Sequence, residues 1–235
     1  MELAIVDGRM PDSMIANLKA CGFAVEKTIE HSKLAKPVAY HPDMQMCRID
    51  KHTIVICPEL FNHYINKLEK YDLNLICGKS KLEHKYPLDI AYNCAVMRNK
   101  AFHRANFTDE IIKRELCKNN IELVNINQGY GKCSMAIIPD GSCICGDVGV
   151  GNVLRKEKID YLEINPNSII LNGYDHGFIG GSSSQGSDKL YITGSLEYHD
   201  FEKSVREWIE AKGIELIELS DDIIVDYGTI LIMGE

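Results

Sequence analysis

Two stretches at opposite ends of the chain decide the fold: Ile223-Ile224-Val225-Asp226-Tyr227-Gly228-Thr229-Ile230-Leu231-Ile232-Met233 and Glu2-Leu3-Ala4-Ile5-Val6. Both are rich in strand-forming residues. Between them the sequence repeats one pattern at a period of about 40–45 residues, which is typical of repeat architectures. If the two stretches pair, the termini together complete the last repeat. The chain then closes into a ring.

Each repeat contains a polar segment rich in Gly and Asp, a pair of short apolar strands, an amphipathic helix and a closing strand. Alternating apolar and polar residues predict closing strands at 74–77, 121–124, 161–164, 214–217 and 23–26. The preceding helices are predicted at 58–71, 108–119, 148–160, 199–212 and 11–21. The strand pairs that precede the helices are predicted at 40–47 with 52–57, 90–97 with 100–102, 133–138 with 142–145, and 177–181 with 190–193. The pattern predicts an α/β propeller of five ββαβ units, with the fifth unit shared between the termini.

Composition favours one compact body, so we expect a single domain spanning residues 1–235. The formal net charge is −8 without a basic block, which disfavours nucleic acid as a partner. No apolar run approaches the roughly 18–20 residues that span a bilayer, and the N-terminus lacks a secretion signal. We therefore expect a cytoplasmic protein that does not bind membranes. Nine dispersed cysteines predict free thiols without obligatory disulfides.

The polar segments that begin the units are expected to converge on the axis of the ring, with the helices outside. These segments concentrate Asp, His, Asn, Gln and Gly, and residues at equivalent positions in them would face one shared cavity. They occupy 40–45, 86–93, 127–134, 173–181 and 225–229.

With these repeats the chain resembles the penteins, the superfamily that has the guanidino-group modifying enzyme fold. More narrowly, it is similar to a bacterial family of this fold that has no assigned activity. The resemblance covers the whole chain and implies five ββαβ units around a pseudo-fivefold axis. It also implies a site for guanidino chemistry, although the superfamily includes ribosome anti-association factors that are not enzymes.

The catalytic pattern of the pentein enzymes is not matched. Those enzymes have a nucleophilic cysteine in the fifth unit, whereas no cysteine follows Cys145 here. They have a His-x-Asp pair in the third unit, where this chain has Lys132-Cys133-Ser134. Only the acids of the first two units are retained, as Asp43 and Asp89. An enzyme of this family would be a C–N bond hydrolase or an amidinotransferase, here without the usual late cysteine.

His41, Cys133 and His176 are the candidate catalytic residues. His41 and Asp43 are two residues apart, so on an extended strand they would share one face and could transfer protons. The alternative is that Asp43 stabilises a turn after Pro42. Cys133 follows a lysine, and a cation near its sulfur would favour the thiolate. The alternative is a buried cysteine that only packs.

The candidate substrate-binding residues include Asp226, an acid within an otherwise apolar strand. It must face a wet cavity or have a charged partner, because burial of an isolated charge is costly. Gly180 and Gly181 either approach an anion through their amides or form a flexible turn. Asp175 precedes His176 and could instead stabilise a turn. The complete set is Asp43, Asp89, Asn93, Gln128, Asp175, Gly180, Gly181 and Asp226.

Three functions are compatible with these residues. The first is binding of a small polar ligand, a guanidino compound or an amino acid, in a central cavity with catalysis undecided. The second is a cysteine-dependent hydrolase or transferase acting on a guanidino compound. The third is a non-enzymatic ring that binds another protein. No cofactor is expected, and no metal, since Cys133, Cys143 and Cys145 lack the spacing of a zinc site.

Overall fold

The structure is a computed structural model and describes residues 2–234. The strands are β1 Leu3–Val6, β2 Ala24–Lys27, β3 Met46–Arg48, β4 Thr53–Ile56, β5 Asn74–Cys77, β6 Ala95–Met97, β7 Lys100–His103, β8 Glu122–Asn125, β9 Met135–Ile137, β10 Cys143–Cys145, β11 Tyr161–Glu163, β12 Ser184–Gln185, β13 Leu190–Ile192, β14 Leu216–Glu218 and β15 Ile230–Met233. The helices are α1 Asp12–Ala20, α2 Pro42–Gln45, α3 Phe61–Leu68, α4 Glu110–Lys118, α5 Gly131–Ser134, α6 Val148–Lys156 and α7 Glu202–Ala211.

The strands of the described chain form separate small sheets with a common pattern. Three sheets have the orders β3-β4-β5, β6-β7-β8 and β11-β10-β9. In each sheet, the two strands that come first in the sequence are antiparallel, and the last strand in the sequence is parallel to the second. Parallel neighbours need a crossover connection, and α3, α4 and α6 provide it. The parallel pair β13-β14 is likewise joined through α7.

The remaining sheet joins the two ends of the chain, as the sequence predicts. Its order is β12-β15-β1-β2, and β1 pairs antiparallel with β15, placing Leu3 opposite Met233 and Ile5 opposite Leu231. These four side chains are all buried. The predicted pairing of the termini is therefore confirmed for residues 230–233. The stretch 223–229 precedes the strand, so Asp226 does not lie within it, which corrects the prediction.

The first strands of the units are shorter than predicted, because single helical turns replace their beginnings. Residues 40–47 contain α2 before β3, and residues 133–138 begin within α5 and continue into β9. Pro42 occupies the first position of α2, where its fixed φ suits a helix. The predicted strand at 177–181 is a turn, and 90–97 becomes a strand only at β6. His41 and Asp43 therefore do not share an extended strand, which corrects the prediction.

The predicted crossover helices are all present, with shorter bounds than the sequence suggested. The helix predicted at 148–160 ends at Lys156, and the one predicted at 199–212 begins at Glu202. Asp109 caps α4 by accepting hydrogen bonds from the amides of Ile111 and Ile112. Gly22 and Gly213 follow helices with φ of +99° and +66°, a region that favours glycine. Among residues 2–234, no helix is both long and apolar enough to cross a lipid bilayer.

Candidate functional site

A cavity of about 220 Å³ lies where the polar segments of several units meet. Single-turn helices α2 and α5, the loop 171–178 and the segment before β15 enclose it. Its lining residues are Val38, His41, Met44, Tyr130, Cys133, Leu171, Tyr174, Asp175, His176, Phe178 and Asp226. Polar groups from sequence-distant units thus surround one small space.

His41 precedes α2 and is fully buried beside two carboxyl groups. Its Nε2 lies 3.9 Å from Oδ2 of Asp7, and its Nδ1 lies 3.9 Å from Oδ1 of Asp226. Neither ring nitrogen has a hydrogen-bond partner in the described chain. Burial, reinforced by the charge of Arg9, lowers the pKa of His41 to about 3. The ring is therefore neutral at physiological pH, with one nitrogen able to donate and the other able to accept.

Cys133 lies on α5 and contacts a carboxyl group and an amide. Its thiol donates to Oδ2 of Asp43 at 3.1 Å, while Nδ2 of Asn93 donates to Sγ at 3.0 Å. The amide oxygen of Asn93 accepts from the backbone N–H groups of Lys132 and Cys133, which fixes the orientation of that side chain. Burial and the charges of Asp43 and Asp226 raise the pKa of Cys133 well above its usual value. The resting sulfur is a thiol.

Asp43 and Asp226 are two buried acids with raised pKa values. Burial raises the pKa of Asp43 to about 6 and that of Asp226 to about 7, and the charge of Asp43 contributes to the second shift. Asp226 accepts from the backbone N–H groups of Phe178 and Gly228, each at 2.9 Å. Oδ1 of Asp43 has no hydrogen-bond partner within residues 2–234. At neutral pH Asp43 is mostly ionised and Asp226 is partly protonated, so a bound cation would displace protons mainly from Asp226.

Lys132 places a buried ammonium group next to these acids. Its Nζ donates to the carbonyl oxygen of Gly180 at 2.9 Å. Burial lowers its pKa, and the charges of Asp43, Cys133 and Asp226 oppose that effect. The sequence indicates Lys132 only as the neighbour of Cys133. The structure adds its buried amino group to the site.

Gly180 and Gly181 allow the backbone to approach the site closely. A Cβ atom on Gly181 would collide with the carboxyl group of Asp226, and one on Gly180 would collide with the carbonyl of Lys132. The amide of Gly181 already donates to the carbonyl of Cys133 at 3.1 Å. This geometry gives the two glycines a role in close packing around the acids.

The other predicted site residues lie either in the lining of the cavity or outside it. Asp175 and His176 line the cavity, and Nδ1 of His176 is 2.8 Å from the carbonyl oxygen of Gly177. Asp89 accepts a 2.8 Å hydrogen bond from the hydroxyl of Tyr130, a lining residue. Gln128 lines a different cavity and donates to Asp147.

The sequence did not predict a role for Asp7, for Arg9 or for the aromatic wall of the cavity, which consists of Tyr130, Tyr174 and Phe178. Asp7 directly follows β1, is completely buried and forms a 2.7 Å ion pair with Arg9. An acid placed immediately after an apolar strand is a signal that could have identified it. Tyr130 and Phe178, whose ring centroids are 6.3 Å apart, carried no such signal, because aromatic residues also occur in ordinary cores.

Comparison with known proteins places the chain in a family and a fold. The chain belongs to the family described as "Family of unknown function (DUF6873)", whose model matches residues 5–231. No curated protein matches the sequence.

Among solved structures, the chain is similar to dimethylarginine dimethylaminohydrolase in an adduct with S-methyl-L-thiocitrulline. The TM-score is 0.58 at 10% identity, over 93% of this chain and 91% of that one. It is also similar to a cysteine-to-serine variant of the Pseudomonas aeruginosa dimethylarginine dimethylaminohydrolase in complex with citrulline, with a TM-score of 0.60 at 9% identity over the same shares. The chain therefore has the pentein fold.

Proposed function

We propose that this protein binds a small, positively charged metabolite, a guanidino compound or a basic amino acid, in the cavity between α2 and α5. The single observation that carries the proposal is the pair of buried acids, Asp43 and Asp226, beside a neutral His41 whose ring nitrogens both lack partners within residues 2–234. Buried polar atoms are normally hydrogen-bonded. A ligand with several N–H donors would satisfy the unpartnered oxygen and imidazole nitrogen together.

The proposed scaffold is a single domain in which five ββαβ units surround the cavity. The repeated sheet order, the helical crossovers and the pairing of β1 with β15 support a propeller with a shared fifth unit. In this arrangement the first, third, fourth and fifth units each supply part of the cavity lining. All nine cysteines are free thiols, which favours a location in the cytoplasm, because that compartment is reducing.

Charge and shape favour an organic cation over an anion. Asp226 and Asp175 line the cavity and Asp43 contacts the thiol at its wall, while Lys132 is held by backbone carbonyls and Arg9 by Asp7. Buried ionised carboxylates have lost their hydrating water, and a bound cation compensates for that loss. The cavity, at about 220 Å³, is small for a ligand site, which favours a compact metabolite.

The aromatic wall suits the delocalised cation of a guanidino group. Tyr130, Tyr174 and Phe178 line one side of the cavity, and the face of an aromatic ring attracts cations within about 6 Å. A planar guanidinium can contact such a face while its N–H groups reach the acids. The neutral ureido group of citrulline would lose the ionic part of this interaction.

Isothermal titration calorimetry with agmatine, arginine and citrulline tests the proposal. We expect the cations to bind more tightly than citrulline and Asp226→Asn to weaken cation binding at least tenfold. Asp12→Asn is the matched control, because its side chain is 99% exposed, and it should leave the affinity unchanged. Absence of binding by every cation at millimolar concentration would refute the proposal.

A second function, cysteine-dependent hydrolysis or transfer at a guanidino carbon, is favoured by the 3.1 Å contact between Cys133 and Asp43. A nucleophile and a base in hydrogen-bond contact are the usual arrangement for covalent catalysis. The pKa of about 6 for Asp43 suits an acceptor of the thiol proton.

The covalent step balances with the groups present. Sγ would bond to the guanidinium carbon while its proton passes to Asp43. One C–N bond would then break, and the leaving amine would take that proton. Water or an acceptor amine would then attack the S-linked amidinium carbon, the C–S bond would break, and the sulfur would take one proton from the attacking group. When water attacks, its second proton would pass to the released amine.

Mass spectrometry of the intact protein after mixing with agmatine tests this step. A covalent mass increase that Cys133→Ser abolishes would support catalysis, and its absence in the presence of demonstrated binding would leave only the binding function. Cys21→Ser is the control, since Cys21 is an exposed free thiol remote in sequence. It should retain the adduct.

A further inference from the structure

A second group of metal-binding side chains lies outside the lining of the candidate site. His31, Cys57 and Glu59 each offer one ligand atom, and these atoms all lie within 4.8 Å of one another. His31 follows β2, whereas Cys57 and Glu59 follow β4. We propose that these three side chains, which we call the His31 cluster, bind Zn²⁺ or a similar divalent transition-metal ion. None of the three was predicted from sequence, because the fold, and not local spacing, brings them together.

The imidazole of His31 is free to bind a metal through Nε2. This atom is buried, has no hydrogen-bond partner in the described chain and lies 3.7 Å from Oε2 of Glu59. The opposite nitrogen, Nδ1, accepts a hydrogen bond from the amide of Lys33 at 3.3 Å. The neutral ring therefore carries its proton on Nε2, and a metal ion bound at Nε2 would move that proton to Nδ1, because metal-bound histidines donate through their other ring nitrogen.

Cys57 supplies a buried sulfur whose ionisation needs a compensating charge. Its side chain is fully buried, and its sulfur is one of the three ligand atoms that lie within 4.8 Å of one another. A zinc-class ion displaces the proton from a coordinating thiol.

Glu59 completes three protein ligands and leaves one side open. Its Oε1 accepts from the amide of Leu82 at 3.2 Å, which fixes the carboxylate. The side chain of Glu59 remains 27% exposed, so solvent reaches the cluster from that side. Nitrogen, sulfur and oxygen ligands match zinc, with about four ligands in tetrahedral geometry. A water molecule would take the remaining position.

The His31 cluster is connected to the turn that carries His41 and Asp43. The amide of Cys57 donates to the carbonyl of Gln45, the last residue of α2, at 2.9 Å. The side chain of Gln45 donates to the carbonyls of Ile29 and Ala39, and His31 donates its own amide to Ala39. A metal at the cluster would therefore join the segment after β2 to the end of β4 and hold α2 between them.

Cobalt titration of the purified, metal-free protein tests the assignment. Co²⁺ bound to a thiolate gives a sulfur-to-metal charge-transfer band, so we expect one such site per chain. Cys57→Ser should abolish the band, and Glu59→Gln, which retains an acceptor for Leu82, should weaken Co²⁺ binding at least tenfold. Cys21→Ser should behave like the wild type.

Circular dichroism of each variant separates loss of the site from loss of the fold. If Cys57→Ser unfolds, the Glu59→Gln result decides, together with the Zn²⁺-dependent rise in melting temperature, which metal binding to the native state predicts. A band that persists in folded Cys57→Ser would overturn the proposal. So would a wild-type protein that shows no band and no thermal shift with excess metal.

Discussion

Replacing Asp43 by Asn tests whether ionisation of this buried carboxyl group destabilises the folded protein. Burial raises the pKa of Asp43 from 3.8 to about 6, and each pKa unit corresponds to about 1.4 kcal/mol. The native state therefore binds the proton more tightly than the unfolded chain does. The stability linked to this proton is fully present below about pH 4 and is lost as the pH rises through about 6. The total loss is about 3 kcal/mol.

The carboxamide introduced by Asp43→Asn cannot ionise, so the variant escapes this loss. We expect the free energy of unfolding of Asp43→Asn, relative to wild type, to increase by about 2 kcal/mol between about pH 4.5 and pH 8. This range begins above the pKa of Asp43 in the unfolded chain, so the wild type has already lost part of the stability linked to this proton at about pH 4.5. Urea unfolding followed by circular dichroism at the two pH values measures it.

Asp12→Asn provides the reference, because an exposed acid with a weak ion pair contributes less than about 1 kcal/mol at either pH. A difference between Asp43→Asn and wild type that is the same at both pH values would show that Asp43 is not a buried group with a raised pKa. If the free energy of unfolding of Asp43→Asn relative to wild type decreased as the pH rises, the pKa of Asp43 would be lowered by folding and not raised.

Three further perturbations probe other parts of the structure. Gly181→Ala should lower the melting temperature and abolish binding of agmatine in calorimetry, because its Cβ would collide with Asp226; wild-type affinity would contradict this packing. Leu231→Ala should reduce the free energy of urea unfolding by about 2–5 kcal/mol, since this buried side chain lies in the pairing of the termini; a loss below about 1 kcal/mol would argue against that pairing. Iodoacetamide should alkylate Cys133 far more slowly than exposed Cys21, with peptide mass spectrometry as the readout, because burial keeps Cys133 a thiol; equal rates would contradict the burial.

The sequence allows the crossover helices, the closing strands and the pairing of the termini to be predicted, because each leaves a periodic or apolar pattern. Apolar alternation identifies the closing strands, and helical periodicity identifies the crossovers. The termini pair as expected from two apolar stretches that otherwise lack partners. The single turns α2 and α5 escape prediction, since four residues are too few to show a helical period.

The candidate site could be predicted only in part. Polar residues at the beginnings of the units identified Asp43, Cys133 and Asp226, which the structure does bring together. The contacts that define their chemistry were not predictable, because they join distant residues. Lys132, for example, donates to a carbonyl 48 positions away, and only the folded chain shows that its ammonium group is buried.

Calorimetric titration of agmatine near pH 6.5, repeated in two buffers with different ionisation enthalpies, tests the central claim most directly. The pKa values of Asp43 and Asp226 lie at about 6 and 7, so a cation that binds beside them favours their ionised forms. We expect saturable binding with release of protons, and Asp226→Asn should reduce that release. Binding with no net proton release, or no binding heat at millimolar agmatine, would contradict it.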